Sequence, residues 1–249
     1  MAAFLLVLLA FLAGCGSDDG GTSNPIVPGG GRPSTQLIGT FANGSQAGSI
    51  TIAIATASLA PALRSAAVRD SPVAASGELN LEAGGVVTLT GTYERGTDSL
   101  HLSGGGYTFG GYYYRGSVPP VLGGEYTGPS GAGSFGCFPG TGTTVKVFCG
   151  EFRSGTSPVG HWNLAIAGTS LMGLEAPYGD YPATGFSGTV EATGAFRDLT
   201  FSGSDTDFLL NGSGTWNTAT DHVTGTWTTD DGSGTWSVTR CLPGTTGPD

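Results

Sequence analysis

The sequence predicts an all-β fold, an antiparallel β-meander in two homologous halves, barrel-like or sandwich-like. Three observations predict it. From Thr35 onward, short apolar–polar alternations bounded by glycine recur, and no long segment keeps a helical period. One stretch repeats: Tyr107 to Phe135 aligns without a gap onto Phe208 to Trp236. A hairpin signature, Gly-x-aromatic, turn, Gly-x-aromatic, also recurs. It stands at Gly124/Tyr126 with Gly133/Phe135, at Gly150/Phe152 with Gly160/Trp162, and at Gly225/Trp227 with Gly234/Trp236.

The strands follow in order. Ile50-Thr-Ile52-Ala-Ile54, Val87-Thr-Leu89, Leu100-His-Leu102, Val145-Lys-Val147 and Val223-Thr-Gly225-Thr-Trp227 alternate cleanly. Ala57 to Ala75 breaks the pattern; Leu59 to Ala67 reads as a helical turn or two on a long loop bounded by Pro61 and Pro72. Within a strand, period-2 geometry puts each glycine of the hairpin signature on the same face as its aromatic. The missing side chain leaves room for a ring from the next strand. The other face of such a strand is hydroxyl-rich, as with Thr224, Thr226 and Thr228, so one face is core and the other meets water. Asn211-Gly212 and Asp231-Gly232 read as tight-turn pairs. The halves run from Thr35 to Phe138 and from Thr144 to Cys241, joined by Pro139 to Thr143, with a tail over 242–249.

Composition narrows the function classes. Glycine (46) and proline (14) are abundant and charged residues make up 11%, well below the ~25% of an ordinary domain. Even so, 38% hydrophobic and 10% aromatic residues indicate a folded core rather than disorder. The net charge is −10 and Lys146 is the single lysine. No basic patch exists to meet phosphates, which excludes nucleic acid as a partner.

The N-terminus carries an apolar run, Phe4 to Ala13, closed by Leu12-Ala13-Gly14-Cys15. The run is shorter than the roughly 20 residues that span a bilayer and fits a signal-peptide core over residues 1–14. Leu-Ala-Gly-Cys resembles the lipobox of bacterial lipoproteins, although Met1 to Ala3 carries no basic residue. The resemblance implies cleavage before Cys15, a diacylglycerol on its thiol and an acyl chain, palmitate for example, on its new amine. Two or more chains hold stably where one does not. It also implies a lipid-anchored protein of the bacterial cell envelope, at the outer membrane or cell surface, with the membrane as a partner. Residues 15–34 then form a Gly/Ser/Asp/Pro tether. Leu89-Thr-Gly-Thr-Tyr93-Glu94 and the Gly-Thr-Trp starts resemble strands of the avidin/streptavidin barrels. The mature chain as a whole resembles Gly/Thr-rich bacterial lipoproteins ending in Gly-Thr-Trp…Cys, a likeness that brings no activity with it.

Outside the cytoplasm a disulfide can persist. Cys137 shares the aromatic face with Phe135. Cys149 lies on the face opposite Phe152, and Cys241 on the face opposite Trp236. Bonded cross-strand partners share a face, so parity pairs Cys149 with Cys241 and leaves Cys137 as a small buried hydrophobe.

No residue set fills the roles of a catalytic site. His101, His161 and His222 are scattered and lack zinc-ligand spacing. Asp205-Thr-Asp207 and Asp230-Asp231-Gly lack the calcium-loop pattern and read as acidic turns. Gly185-Phe-Ser-Gly-Thr189 ends in Thr where a nucleophile elbow needs Gly, so Ser187 reads as a strand serine. Glu125 and Glu151 hold equivalent hairpin positions, and a hydrolase would need them paired in one cleft. Gly104 to Gly106 leads into a strand, so it is not a phosphate loop. The binding candidates are aromatic: Tyr112, Tyr114 and Trp162, as platforms for a glycan, a small apolar ligand or an envelope protein. The expected function is a non-enzymatic, lipid-anchored ligand-binding or structural module, without cofactor or metal. The alternatives are a calycin- or avidin-like pocket and a hydrolase.

Overall fold

The computed structural model describes residues 34–55, 72–114, 120–140, 145–179, 183–202, 211–229 and 232–241. The signal segment, Cys15, the tether up to Pro33, the turns expected over Leu59–Ala67, Asp205, Asp207, Asp230, Asp231 and the C-terminal tail lie outside them.

Every named element is a strand. In the first half these are β1 (Ser34–Asn43), β2 (Gln46–Ala55), β3 (Val73–Leu81), β4 (Val86–Glu94), β5 (Ser99–Gly104), β6 (Tyr107–Tyr114), β7 (Val121–Gly128) and β8 (Gly131–Pro139). Each pairs antiparallel with the next, and β8 returns to pair with β1 (Phe41 opposite Phe135), so the ring closes. The second half holds β9 (Val145–Ser154), β10 (Ser157–Ala167), β11 (Ser170–Pro177), β12 (Thr184–Val190), β13 (Phe196–Ser202), β14 (Asn211–Asn217), β15 (His222–Thr228) and β16 (Ser233–Arg240). It repeats the same order, and β16 pairs back with β9. The ladder is interrupted at one place, between β13 and β14. Among the described residues the two sides of this seam meet through the bridge Ala195–Thr215 and a 2.8 Å bond from the Trp216 N–H to the Gly194 carbonyl. The meander thus forms two barrels, one closed and one nearly so. The repeat read from the sequence is the last three strands of each.

The glycines do the packing work expected of them. Tyr126 stands opposite Gly133 and Phe135 opposite Gly124. In the repeat, Trp227 stands opposite Gly234 and Trp236 opposite Gly225. Phe152 faces Gly160, and Phe186 faces Gly173. A Cβ on Gly133 would lie 2.6 Å from Tyr126, and one on Gly234 2.7 Å from Trp227. Each ring therefore occupies volume that a side chain across the ladder would need. In the first barrel Phe41, Phe109, Tyr126 and Phe135 pack into one aromatic cluster, with Phe109 stacked on Tyr126 at 5.0 Å. In the second, Trp162 stacks on Trp236 at 5.2 Å and lies against Phe186 at 4.7 Å. Outward positions along β14 to β16 carry Ser213, Thr215, Thr224, Thr226, Thr235 and Ser237, all exposed. Membrane-spanning barrels carry their apolar band on the outside instead.

Asn211-Gly212 is not the tight turn its sequence suggests. Both residues lie in β14, paired with Thr228 and Trp227. Leu199 and Phe201, across the seam, come to 3.4 Å from where a Cβ on Gly212 would be, an ordinary contact distance.

The barrels also pack on each other. Ile38 and Phe138 of the first meet Val145, Val147, Ala165 and Met172 of the second. Ala42 and Ala47 meet Leu174 and Ala176. Strands β10 and β11 are thus covered on both faces, which explains their near-continuous apolar runs. Asn163 is buried at this joint. In either orientation its amide bonds to the first barrel, through the Phe41 carbonyl or through the Thr40 hydroxyl and the Gly48 amide.

Candidate functional site

The three tyrosines of β6 divide as alternation requires. Tyr113 packs against the first barrel's core, while Tyr112 and Tyr114 point outward, 54% and 56% exposed. Around them the outer face has little relief. Tyr112 is flanked across the ladder by Ser99 on β5 and Gly123 on β7. Two positions back along β6 is Gly110, flanked by His101 and Glu125. Both of these are exposed, and a Cβ on Gly110 would lie 3.9 Å from His101 Nδ1. Gly110 thus floors a shallow basin with an imidazole on one side, a carboxylate on the other and the Tyr112 ring at one end. Flat rings beside hydrogen-bonding groups suit a ligand with one apolar face and several hydroxyls.

Trp162 takes a different place. Sequence reading made it a stacking candidate, but it is 0% exposed, with Trp236 and Phe186 over its ring. The structure puts it in the core.

On the second barrel, the outer surface beside the seam forms an open groove of about 640 Å³. Its walls include Arg197, Ser213, Thr215, Thr224, Thr226 and Ser237. Ser213 and Thr226 bond to each other at 2.8 Å, and Arg197 is paired with Glu191.

The titratable groups are dispersed. Glu125 lies on β7 of the first barrel. Glu151, on β9 of the second, accepts bonds from Arg153 at 2.7 Å and from the Tyr178 hydroxyl at 2.9 Å. His101 is on the tyrosine face. His161 lies 3.2 Å from Glu82 of the other barrel, and His222 bonds Ser237 at 2.8 Å. Ser187 is an exposed strand residue on β12. Among the described residues, no three His, Cys, Asp or Glu side chains group as metal ligands.

The cysteines fall as parity predicts. Cys149 and Cys241 form a disulfide with a Cα separation of 5.4 Å. Cys137 is a free thiol in the first barrel's core, and burial pushes its pKa far above the usual range.

Sequence reading missed Glu175. It is 4% exposed on β11, and burial pushes its carboxyl up to about 7. The signal was present: Leu171-Met-Gly-Leu-Glu-Ala176 is an apolar run interrupted by one acid. A run without alternation means both faces are covered, so that acid had to be buried.

Compared with known proteins, the chain matches no family model, no curated sequence and no solved structure.

Proposed function

We propose that this protein is a lipid-anchored binding module of the bacterial cell envelope that holds a glycan on the tyrosine face of its first barrel. The observation that carries the reading is the outward placement of Tyr112 and Tyr114 beside the glycine-floored basin between His101 and Glu125. Large apolar side chains on a hydroxyl-rich exterior mark a surface that gains by being covered. A tyrosine ring offers area for stacking at little cost in side-chain entropy. The lipobox ending at Cys15 supports the anchor, and the tether would let the barrels stand clear of the membrane. A binding role fits the dispersed titratable groups better than hydrolysis does, because Glu151 is engaged by Arg153 and Tyr178.

Retention of the full chain on a panel of immobilised glycans tests the reading. Wild type is expected to be retained by at least one glycan. Tyr112→Ala with Tyr114→Ala should lose about tenfold or more of that affinity. Stability should change little, since surface substitutions of this kind stay within about 0.5 kcal/mol each. Retention that survives the double substitution, or no retention of wild type by any glycan, would overturn it. The anchor has its own test: Cys15→Ser should move the protein out of the membrane fraction.

A further inference from the structure

The path of the chain fixes where the tyrosine face lies relative to the N-terminal segment. β1 begins at Ser34, and the antiparallel register carries that end round the first barrel. Ser34 pairs with Ala55 on β2, Val73 on β3 with Tyr93 on β4, and Glu94 with Ser99 on β5. Ser99 then pairs with Tyr112, Tyr114 with Val121 on β7, and Pro139 of β8 with Leu37 back on β1. The Tyr113 N–H donates to the carbonyl of Asp98, in the turn before β5, at 2.8 Å. Tyr112 and Tyr114 therefore stand at the rim where the chain enters the barrel.

The far end is formed by the turns after Asn43, Leu81, Gly104 and Gly128. It lies roughly 30 Å away, the length of a ten-residue strand. The exposed apolar side chains there stand singly. Val86 opens β4, and Tyr178 is next to Gly179, whose carbonyl lies against Gly44. Single side chains of that kind are ordinary on a surface, whereas neighbouring rings form a patch. The roughly 20 residues from Cys15 to Pro33 reach at most about 65 Å. An anchored chain thus keeps its entry rim near the bilayer, and the far end comes to that surface only if the molecule turns over. A site near the point of attachment meets groups on its own membrane at high effective concentration, an advantage a free ligand lacks.

We infer that the glycan is carried by the membrane itself: Tyr112 and Tyr114 hold the neutral saccharide headgroup of a lipid in the bilayer that anchors Cys15. This rests on the glycan-binding role proposed above for the tyrosine face and adds the source of the glycan. A hexose standing off the bilayer offers its apolar face to the rings and its hydroxyls to His101 and Glu125. The net charge of −10 favours a neutral headgroup, because anionic lipids repel the protein.

The test uses the acylated full chain in phosphatidylcholine vesicles, with or without glucosyl- and galactosyl-diacylglycerol. Oxidation by hydroxyl radicals, mapped by mass spectrometry, reports which side chains are covered. Tyr112 and Tyr114 are expected to be oxidised about tenfold more slowly when the glycolipid shares their vesicle, while Val86 and Tyr178 keep their rates. Methyl glucoside and methyl galactoside, free in solution with the Cys15→Ser chain, should protect the same rings only at about a hundredfold higher sugar concentration. If the free sugars protect and the glycolipid does not, the membrane source is overturned and the glycan-binding role stands. Equal protection by glycolipid in a separate population of vesicles, or by phosphatidylcholine alone, also overturns the inference. Absence of protection in every arm overturns it too, and the glycan panel then decides the broader role by itself.

Discussion

The two barrels are built from one pattern and held shut in different ways. In the first, β5 and β6 are joined by the two-residue turn Gly105-Gly106, both at positive φ, and pair from Ser99–Tyr112 to Gly104–Tyr107. In the second, the corresponding strands β13 and β14 are linked through residues 203–210, and among the described residues the ladder between them shrinks to a single bridge. The second barrel has other fastenings. The Cys149–Cys241 disulfide ties β9 to the end of β16. Asp221, in the turn before β15, receives Lys146 of β9 and Arg240 of β16, together with the Trp216 indole N–H at 3.2 Å. One barrel closes by backbone pairing all the way round. The other has side-chain links beside its backbone-paired β9–β16 joint and keeps a seam between β13 and β14. A tight turn keeps two strands in register; a long connection lets them part.

Breaking the disulfide should separate the barrels most. In the chain-entropy model a loop of this size is worth about 4–5 kcal/mol. Cys149→Ser with Cys241→Ser should lower the unfolding free energy read from tryptophan fluorescence in denaturant by that order. The tyrosine signal, dominated by the first barrel, should follow less.

The next effect comes from Glu175. Its carboxyl titrates at about 7 in the fold against an ordinary 4.5, because burial disfavours the charge. The folded chain therefore holds the proton longer than the unfolded chain. The stabilising difference is fully present below about pH 4.5 and is lost as pH rises through 7, by about 3 kcal/mol. Melting temperatures measured from pH 4.5 to 8 should fall in wild type. In Glu175→Gln the part of that slope due to this group should vanish; an unchanged slope would show that Glu175 is not the group responsible.

Smaller effects are expected from the repeated glycines. A Cβ on Gly124 would lie 2.2 Å from the Gly110 carbonyl, and one on Gly225 2.3 Å from the Trp236 ring. Alanine at either should cost about 1–3 kcal/mol by overpacking. Gly225→Ala should shift the tryptophan signal first, and Gly124→Ala the tyrosine signal. If both shift both signals equally, the barrels unfold as one unit through the Ile38–Met172 interface.

Much of this was legible in the residues, and the gaps have physical causes. Alternation assigns a face to each strand residue, so Cys137, Cys149 and Cys241 could be placed from the residues alone. Alternation cannot tell which face is covered by a second body. Trp162 reads as a ring offered to a ligand, although the parity of Gly160 and Phe152 puts it on the core side. Glu175 was overlooked because the covering of β11 by the first barrel, on Met172, Leu174 and Ala176, erases the alternation that would have marked its inward face.

The sequence by itself determined the strands, the repeat, the ring-opposite-glycine packing and the disulfide. These depend on period-2 geometry and on volumes a few residues apart. Tertiary structure alone decided that there are two barrels, that one closes and the other keeps a seam, and that Glu175 is buried opposite Trp162 on the β10–β11 ladder. Those outcomes depend on which strands pair at the ends of the meander and on how two curved sheets share a face, and contacts between residues distant in the chain leave no periodic trace in it.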